Sequence, residues 1–121
     1  GIFGMGETID DRIDMALDLC ELGIRSIPLN TLIAIPGTPL EKLPPLSEAE
    51  ILRSIAMFRY VNPESDIRLG AGRRLLAGNG TTAFAGGASA TITGNMLTTS
   101  GSTIRDDRAL LRSMGRTVIG C

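Results

Sequence analysis

The chain has 121 residues, 43% of them hydrophobic, which is enough for one modest domain; with aromatics at 3% and no Trp, its core must be aliphatic. A net charge of −1 excludes the basic footprint of a nucleic-acid-binding protein. The lack of any His removes His-dependent triads, HExxH zinc sites and imidazole acid–base chemistry from these residues, and no apolar run reaches the ~18 residues that a membrane span needs.

Residues 1–7 read as the end of a strand punctuated by Gly4 and Gly6. Thr8 with Asp11 three residues on forms a capping-box pattern. Ile9, Ile13, Ala16, Leu17 and Cys20 follow at helical spacing, so a helix is expected near 8–22, with the Cys20 thiol buried on its apolar face. Gly23 ends it as a left-handed cap. Ile24 to Ile35 is apolar and β-rich, predicting a strand near 25–34 in which Pro28 marks a bulge or a strand margin, because proline cannot donate to a central ladder.

Pro36-Gly37-Thr38-Pro39 is a turn, and a loop runs on to Pro45. Ser47-Glu48-Ala49-Glu50 is a second capping box, opening a helix near 47–61 with the stripe Ile51, Ile55 and Phe58; it stops before Asn62-Pro63. A short strand follows at 66–69. Beyond Gly70, Leu75, Leu76, Ala83, Phe84 and Ala85 suggest broken helical turns around Gly78 and Gly80. Ser89 to Thr93 alternates like a short strand, and Gly94-Asn95 turns it. Thr98-Thr99-Ser100-Gly101 reads as a loop, and a last helix is expected near 103–114, capped by Gly115. The two cysteines, Cys20 and Cys121, make no disulfide framework, and Cys121 sits on a fraying tail.

Strands alternating with helices imply βαβ crossovers and a parallel sheet, the α/β class. Three such strands alone would leave a long hydrophobic edge, which half of a (β/α)8 barrel explains. The chain opens on Gly1 in what reads as mid-strand, so the expectation is a piece of a larger enzyme.

In a parallel sheet, chemistry gathers at the C-terminal ends of the strands, which selects three places. Gly4-Met5-Gly6-Glu7 either brings backbone close to a ligand that Glu7 orients, or is a tight turn with Glu7 solvated. Asn30, on the opposite face from Leu29 and Thr31, either holds an amide or urea bidentately or satisfies a neighbouring strand. Arg68, on the opposite face from Ile67 and Leu69, needs partners to offset its desolvation, whether an anion, a metal cluster or a carboxylate. Its guanidinium is expected to be hydrogen-bonded to inner-wall acceptors. Arg73 and Arg74 read as covering a helix end or facing solvent, and Gly70 and Gly72 are a weak phosphate-nest signal.

Taken together, Gly4-Met5-Gly6-Glu7-Thr8, Ser26-Ile27-Pro28-Leu29-Asn30, Gly37-Thr38-Pro39-Leu40, Ile67-Arg68-Leu69-Gly70-Ala71-Gly72-Arg73 and the run from Thr91 to Gly101 are far more specific than any one of them. In this order the chain resembles the C-terminal part of the biotin synthase family of radical S-adenosylmethionine enzymes. The resemblance implies that residues 1–121 are the C-terminal half of a (β/α)8 TIM-type barrel that inserts sulfur into dethiobiotin to form biotin. It implies a 4Fe–4S cluster that cleaves S-adenosylmethionine and a 2Fe–2S cluster that donates the sulfur. Arg68 matches the family's arginine ligand to the second cluster, Asn30 the asparagine that binds the ureido ring, and the backbone near Ile33 a contact to the adenine. Ile2-Phe3-Gly4-Met5-Gly6-Glu7 looks like the tail of a Gly-x-Ile-x-Gly-x-x-Glu motif, which makes Gly4 and Glu7 cofactor-side residues.

The resemblance further implies a cytoplasmic enzyme, a homodimer when full length, reduced by a flavodoxin- or ferredoxin-type protein. The departures are the absent CxxxCxxC, the absent cysteine ligands of the second cluster, which Cys20 and Cys121 do not match, and Arg74 where the family commonly has Glu. This chain alone is expected to be inactive. A related radical maturase or mutase, and a non-catalytic assembly domain, are the alternative readings.

Overall fold

The computed structural model describes residues 1–95 and 101–119 and divides into two compact units, Gly1–Thr91 and Ile92–Cys121. The first unit holds β1 (Ile2–Phe3), α1 (Ile9–Glu21), β2 (Ser26–Thr31), α2 (Glu48–Val61), β3 (Asp66–Leu69), two 3₁₀ turns (Arg73–Leu75 and Ala77–Gly80), α3 (Thr81–Ala85) and β4 (Ala90–Thr91). The four strands form one sheet in the order β1-β2-β3-β4, every pair parallel. The second unit holds α4 (Ile104–Ser113), capped by the Thr103 hydroxyl, which accepts the Asp106 N–H at 3.1 Å. Part of the loop expected at Thr98-Thr99-Ser100, and the tail residue Cys121, lie outside the described residues.

Local chemistry starts both long helices. Thr8 and Asp11 exchange side chain-to-backbone bonds at the head of α1, as Ser47 and Glu50 do at α2, so two orphan donors are satisfied at each end. On α2, Ile51, Ser54, Ile55 and Phe58 are buried at helical spacing. They pack on the sheet face made by Phe3, Ile27, Leu29, Ile67 and Leu69; the Phe3 and Phe58 rings sit 5.5 Å apart at 56°. Burying each of the isoleucine, leucine and phenylalanine side chains contributes about 1.5–3 kcal/mol.

Strand alternation puts the complementary set on the other face. Ile2 pairs with Asn30, Pro28 with Arg68, and Arg68 with Ala90, so these residues share the sheet's open side. Pro28 is neither bulged nor marginal: the β2–β3 register runs unbroken through it. Its nitrogen faces the β1 side, as does that of Asn30, whose N–H reaches the Gly1 carbonyl at 3.0 Å.

A second expectation is corrected on α1. Its buried residues are Arg12 and Ala16, while Ile9 (71% exposed), Leu17 and Cys20 face outward. Arg12 takes the inward position instead, where Phe3, Ser54 and Glu7 meet it. Arg59 ties the far end together. It donates to the carbonyls of Asn62, Pro63, Ser65 and Gly87 and to the Ser89 hydroxyl, binding the end of α2 to the starts of β3 and β4. Among the described residues, no helix is long and apolar enough to cross a membrane.

Candidate functional site

The C-terminal ends of β1, β2 and β3 bring the residues singled out from the sequence to one edge of the sheet. After β1, Gly4 takes φ +90°, a left-handed conformation that suits glycine, and the chain turns back on itself. Glu7 closes this turn: Oε1 accepts the Gly4 N–H and Oε2 the Met5 N–H, each at 2.8 Å. Oε1 also receives Nε and Nη2 of Arg12 at 2.8 and 2.7 Å. Burial alone would push the Glu7 carboxyl up. The hydrogen bonds from Gly4, its own backbone, Arg12 and Met5 outweigh that and hold its pKa below the ordinary value. Glu7 is thus neither solvated nor free; its charge is spent inside the turn.

Asn30 stands on the open face of β2. Its Oδ1 accepts the Ala71 N–H at 2.9 Å and its Nδ2 donates to the Gly1 carbonyl at 3.2 Å, so the amide bridges the strands on either side. The two bonds fix which end is oxygen. They use one of its two N–H groups and one of its two oxygen lone pairs. This position needs Gly70: a Cβ there would lie 2.2 Å from Asn30 Oδ1. Ile33 lies two residues beyond β2, in the segment leading to the 36–39 turn.

Arg68 projects from β3 on the face opposite the buried Ile67 and Leu69. Its neighbours in register, Pro28 and Ala90, offer no polar side-chain atom. The expected bond to an inner-wall acceptor is not made at Nε, which is buried and has no partner among the described residues. An unpaired buried donor is costly, and the flanking proline and alanine explain why the sheet itself cannot satisfy it.

Arg73 corrects the expectation of a surface arginine. It is buried, donates through Nε and Nη2 to the Asn79 carbonyl at 3.3 and 2.9 Å, and through Nη1 to Thr91 Oγ1 at 2.8 Å. Thr91 in turn donates to the Leu69 carbonyl at 3.3 Å. Asn79 takes φ +53° to present that carbonyl. Arg74 remains exposed, as expected. The sequence reading did not foresee the buried roles of Arg12, Arg73 and Thr91; the one signal for Arg12 was its i, i+4 spacing to Ala16. A void of about 10 Å³ behind Gly70-Ala71-Gly72 lies on the helix side of the sheet and has room for about one water. No cluster of three or more His, Cys, Asp or Glu side chains suited to a metal ion occurs among the described residues.

A four-stranded, all-parallel sheet with its helices places the chain in the α/β class. The chain belongs to the biotin and thiamin synthesis associated domain family, whose model matches residues 28–117. It is 58% identical to a biotin synthase of Alkaliphilus metalliredigens over 115 residues, 95% of this chain and 36% of that protein. A biotin synthase of Clostridium perfringens matches with the same identity and coverage. Biotin synthase 2 of Corynebacterium diphtheriae is 49% identical over 118 residues, 98% of this chain and 36% of that protein. The chain therefore spans little more than a third of the length of the curated relatives it matches.

Proposed function

We propose that this chain is the C-terminal half-barrel of a biotin synthase, an enzyme that inserts sulfur into dethiobiotin by radical chemistry to form biotin. The observation that carries the reading is Arg68: a buried, unpartnered guanidinium nitrogen on the open face of a parallel sheet. A desolvated group of this kind calls for a partner outside the described residues, and an iron–sulfur cluster on that face is one.

The all-parallel order, the unpaired outer edge of β1 and the outward apolar stripe of α1 support a full-length (β/α)8 barrel in which a preceding strand and helix cover both. The open face would then line the barrel, with the cysteine ligands contributed by the rest of the protein. When bound, the 4Fe–4S cluster with S-adenosylmethionine supplies the radical chemistry and the 2Fe–2S cluster supplies the sulfur.

This chain's residues do the holding. Arg68 completes the second cluster's ligand set. The N–H and lone pair that Asn30 has left over match the carbonyl and N–H of a cyclic urea, which orients dethiobiotin. Gly4, Glu7 and the backbone at Ile33 form the S-adenosylmethionine side of the site. A cytoplasmic setting, a homodimeric full-length protein and a flavodoxin- or ferredoxin-type reductant rest on family resemblance alone.

The test is a graft. This chain replaces the matching segment of the Alkaliphilus metalliredigens relative, and the hybrid is reconstituted anaerobically with iron, sulfide, S-adenosylmethionine and a reductant. Conversion of dethiobiotin to biotin, followed by mass spectrometry, is the expected result. No biotin from a hybrid that folds and loads both clusters, beside an active parent, would reject the proposal.

A further inference from the structure

Arg12 is not among the candidate site residues marked out in the sequence. It is a buried charge in a chain with few of them, and three elements converge on it. Its guanidinium lies over the Phe3 ring of β1, 5.4 Å from the centroid. Its Nη1 donates to Ser54 Oγ of α2 at 3.2 Å. Its Nε and Nη2 converge on Glu7 Oε1. The same carboxylate holds the Gly4 and Met5 N–H groups.

The order of support therefore runs from the core outward, from Phe3 and Ser54 to Arg12, to Glu7 and to the turn. Behind Gly4 stands protein, since a Cβ there would meet Leu46 Cγ at 3.3 Å. Around Gly6 there is open space, with nothing within 4 Å of where a Cβ would be. One side of the turn is braced and the other is clear for a ligand to approach the backbone.

We infer that Arg12 is a positioning residue, which through Glu7 holds the Gly4-Met5-Gly6 turn in the shape that receives S-adenosylmethionine; this rests on the function proposed above. A free Glu7 at this spot would be pulled toward water, and the two N–H groups would lose the acceptor that fixes their direction. The guanidinium fork suits the task, because it is planar, permanently charged and able to place two donors on one oxygen while a third holds Ser54.

The experiment uses the grafted full-length protein with Arg12→Met, Glu7→Gln and Ser54→Ala, and Arg12→Lys in case Arg12→Met does not fold. Two quantities are read: hydrogen-exchange protection of the Gly4 and Met5 amides without cofactor, and S-adenosylmethionine affinity by equilibrium dialysis. Arg12→Met and Glu7→Gln should both lose that protection and bind S-adenosylmethionine about tenfold more weakly, in line with the loss of a supporting partner. Arg12→Lys should show the same changes at smaller size. Ser54→Ala, which removes one support of Arg12 but keeps the Glu7 contact, should show a smaller loss of both than Arg12→Met. Unchanged protection in the Arg12 variants would overturn the positioning role whatever their stability. Lost protection with unchanged affinity would leave Arg12 as the brace of the turn but overturn its link to the cofactor, and with it the proposed use of this loop. Equal weakening by Ser54→Ala would mean that general loosening, not the Glu7 contact, is responsible.

Discussion

Asn30 Oδ1 accepts the Ala71 N–H at 2.9 Å across the β2–β3 boundary, and it does so in the space left by the missing side chain of Gly70. One side-chain amide thus links the end of β2 to the loop that follows β3, and a glycine two strand positions beyond Arg68 makes the link possible.

Gly70→Ala tests this relationship directly. The new methyl would fall 2.2 Å from Oδ1, so the amide must leave and the Ala71 N–H loses its acceptor. A destabilisation of about 1–3 kcal/mol is expected, the cost of an unpaired donor, measured by urea unfolding of the grafted protein. A loss well below that range would show that Asn30 finds an equivalent position at no cost.

Arg73 binds the 77–80 turn and β4 to the end of β3 through Asn79, Thr91 and the Leu69 carbonyl. Arg73→Met should cost about 2–3 kcal/mol, since charge-assisted bonds to two acceptors are lost together. Thermal unfolding checks it, and Arg73→Lys should recover part of the loss. Arg74→Met, at an exposed position, should stay within about 0.5 kcal/mol of the parent.

Acid should loosen the turn after β1. The Glu7 carboxyl is held below its ordinary pKa, so its contribution to stability is full above the unfolded value of about 4.3 and is lost as pH falls through the lower folded value. The hydrogen bonds from Thr8 to Asp11, and from Ser47 to Glu50, act in the same direction at the two helix heads. The melting temperature should therefore fall below about pH 4.3. Glu7→Gln should flatten that fall without removing it, because the capping carboxylates remain. An identical pH profile in Glu7→Gln would contradict the assignment.

Much of this was legible in the sequence because it is local. Thr8 with Asp11 and Ser47 with Glu50 announce helix starts through bonds between residues three apart, and the structure has both. Alternation about Ile67 and Leu69 placed Arg68 on the far face without knowledge of any neighbour, and helix–strand alternation placed the strands in parallel order. What was not legible depends on tertiary partners. Helical spacing offered α1 two faces, and Arg12 took the inside only because Phe3, Ser54 and Glu7 meet there. Arg73 is buried because a distant threonine and a left-handed Asn79 turn toward it. Arg68 Nε has no partner among the described residues, and its register neighbours are a proline and an alanine, which only strand pairing reveals.

Asn30→Ala in the grafted protein should weaken dethiobiotin binding by about 1–3 kcal/mol, the cost of leaving a urea group unpaired in a closed site. Isothermal titration with the cluster-loaded protein measures it. Because Asn30 also bridges two strands, the unfolding midpoint of Asn30→Ala is measured alongside, so that lost binding is read from a folded variant. Unchanged dethiobiotin affinity in Asn30→Ala would remove it from the substrate site.

The central claim concerns Arg68, and one measurement addresses it most directly: the Mössbauer spectrum of the grafted full-length protein and its Arg68→Met variant, each reconstituted anaerobically with ⁵⁷Fe. The account predicts an altered 2Fe–2S signature in the variant beside an unchanged 4Fe–4S signature, with activity reduced but not necessarily abolished. A 2Fe–2S spectrum identical to the parent's, in a folded and fully loaded variant, would make Arg68 a structural arginine of the sheet and contradict the account.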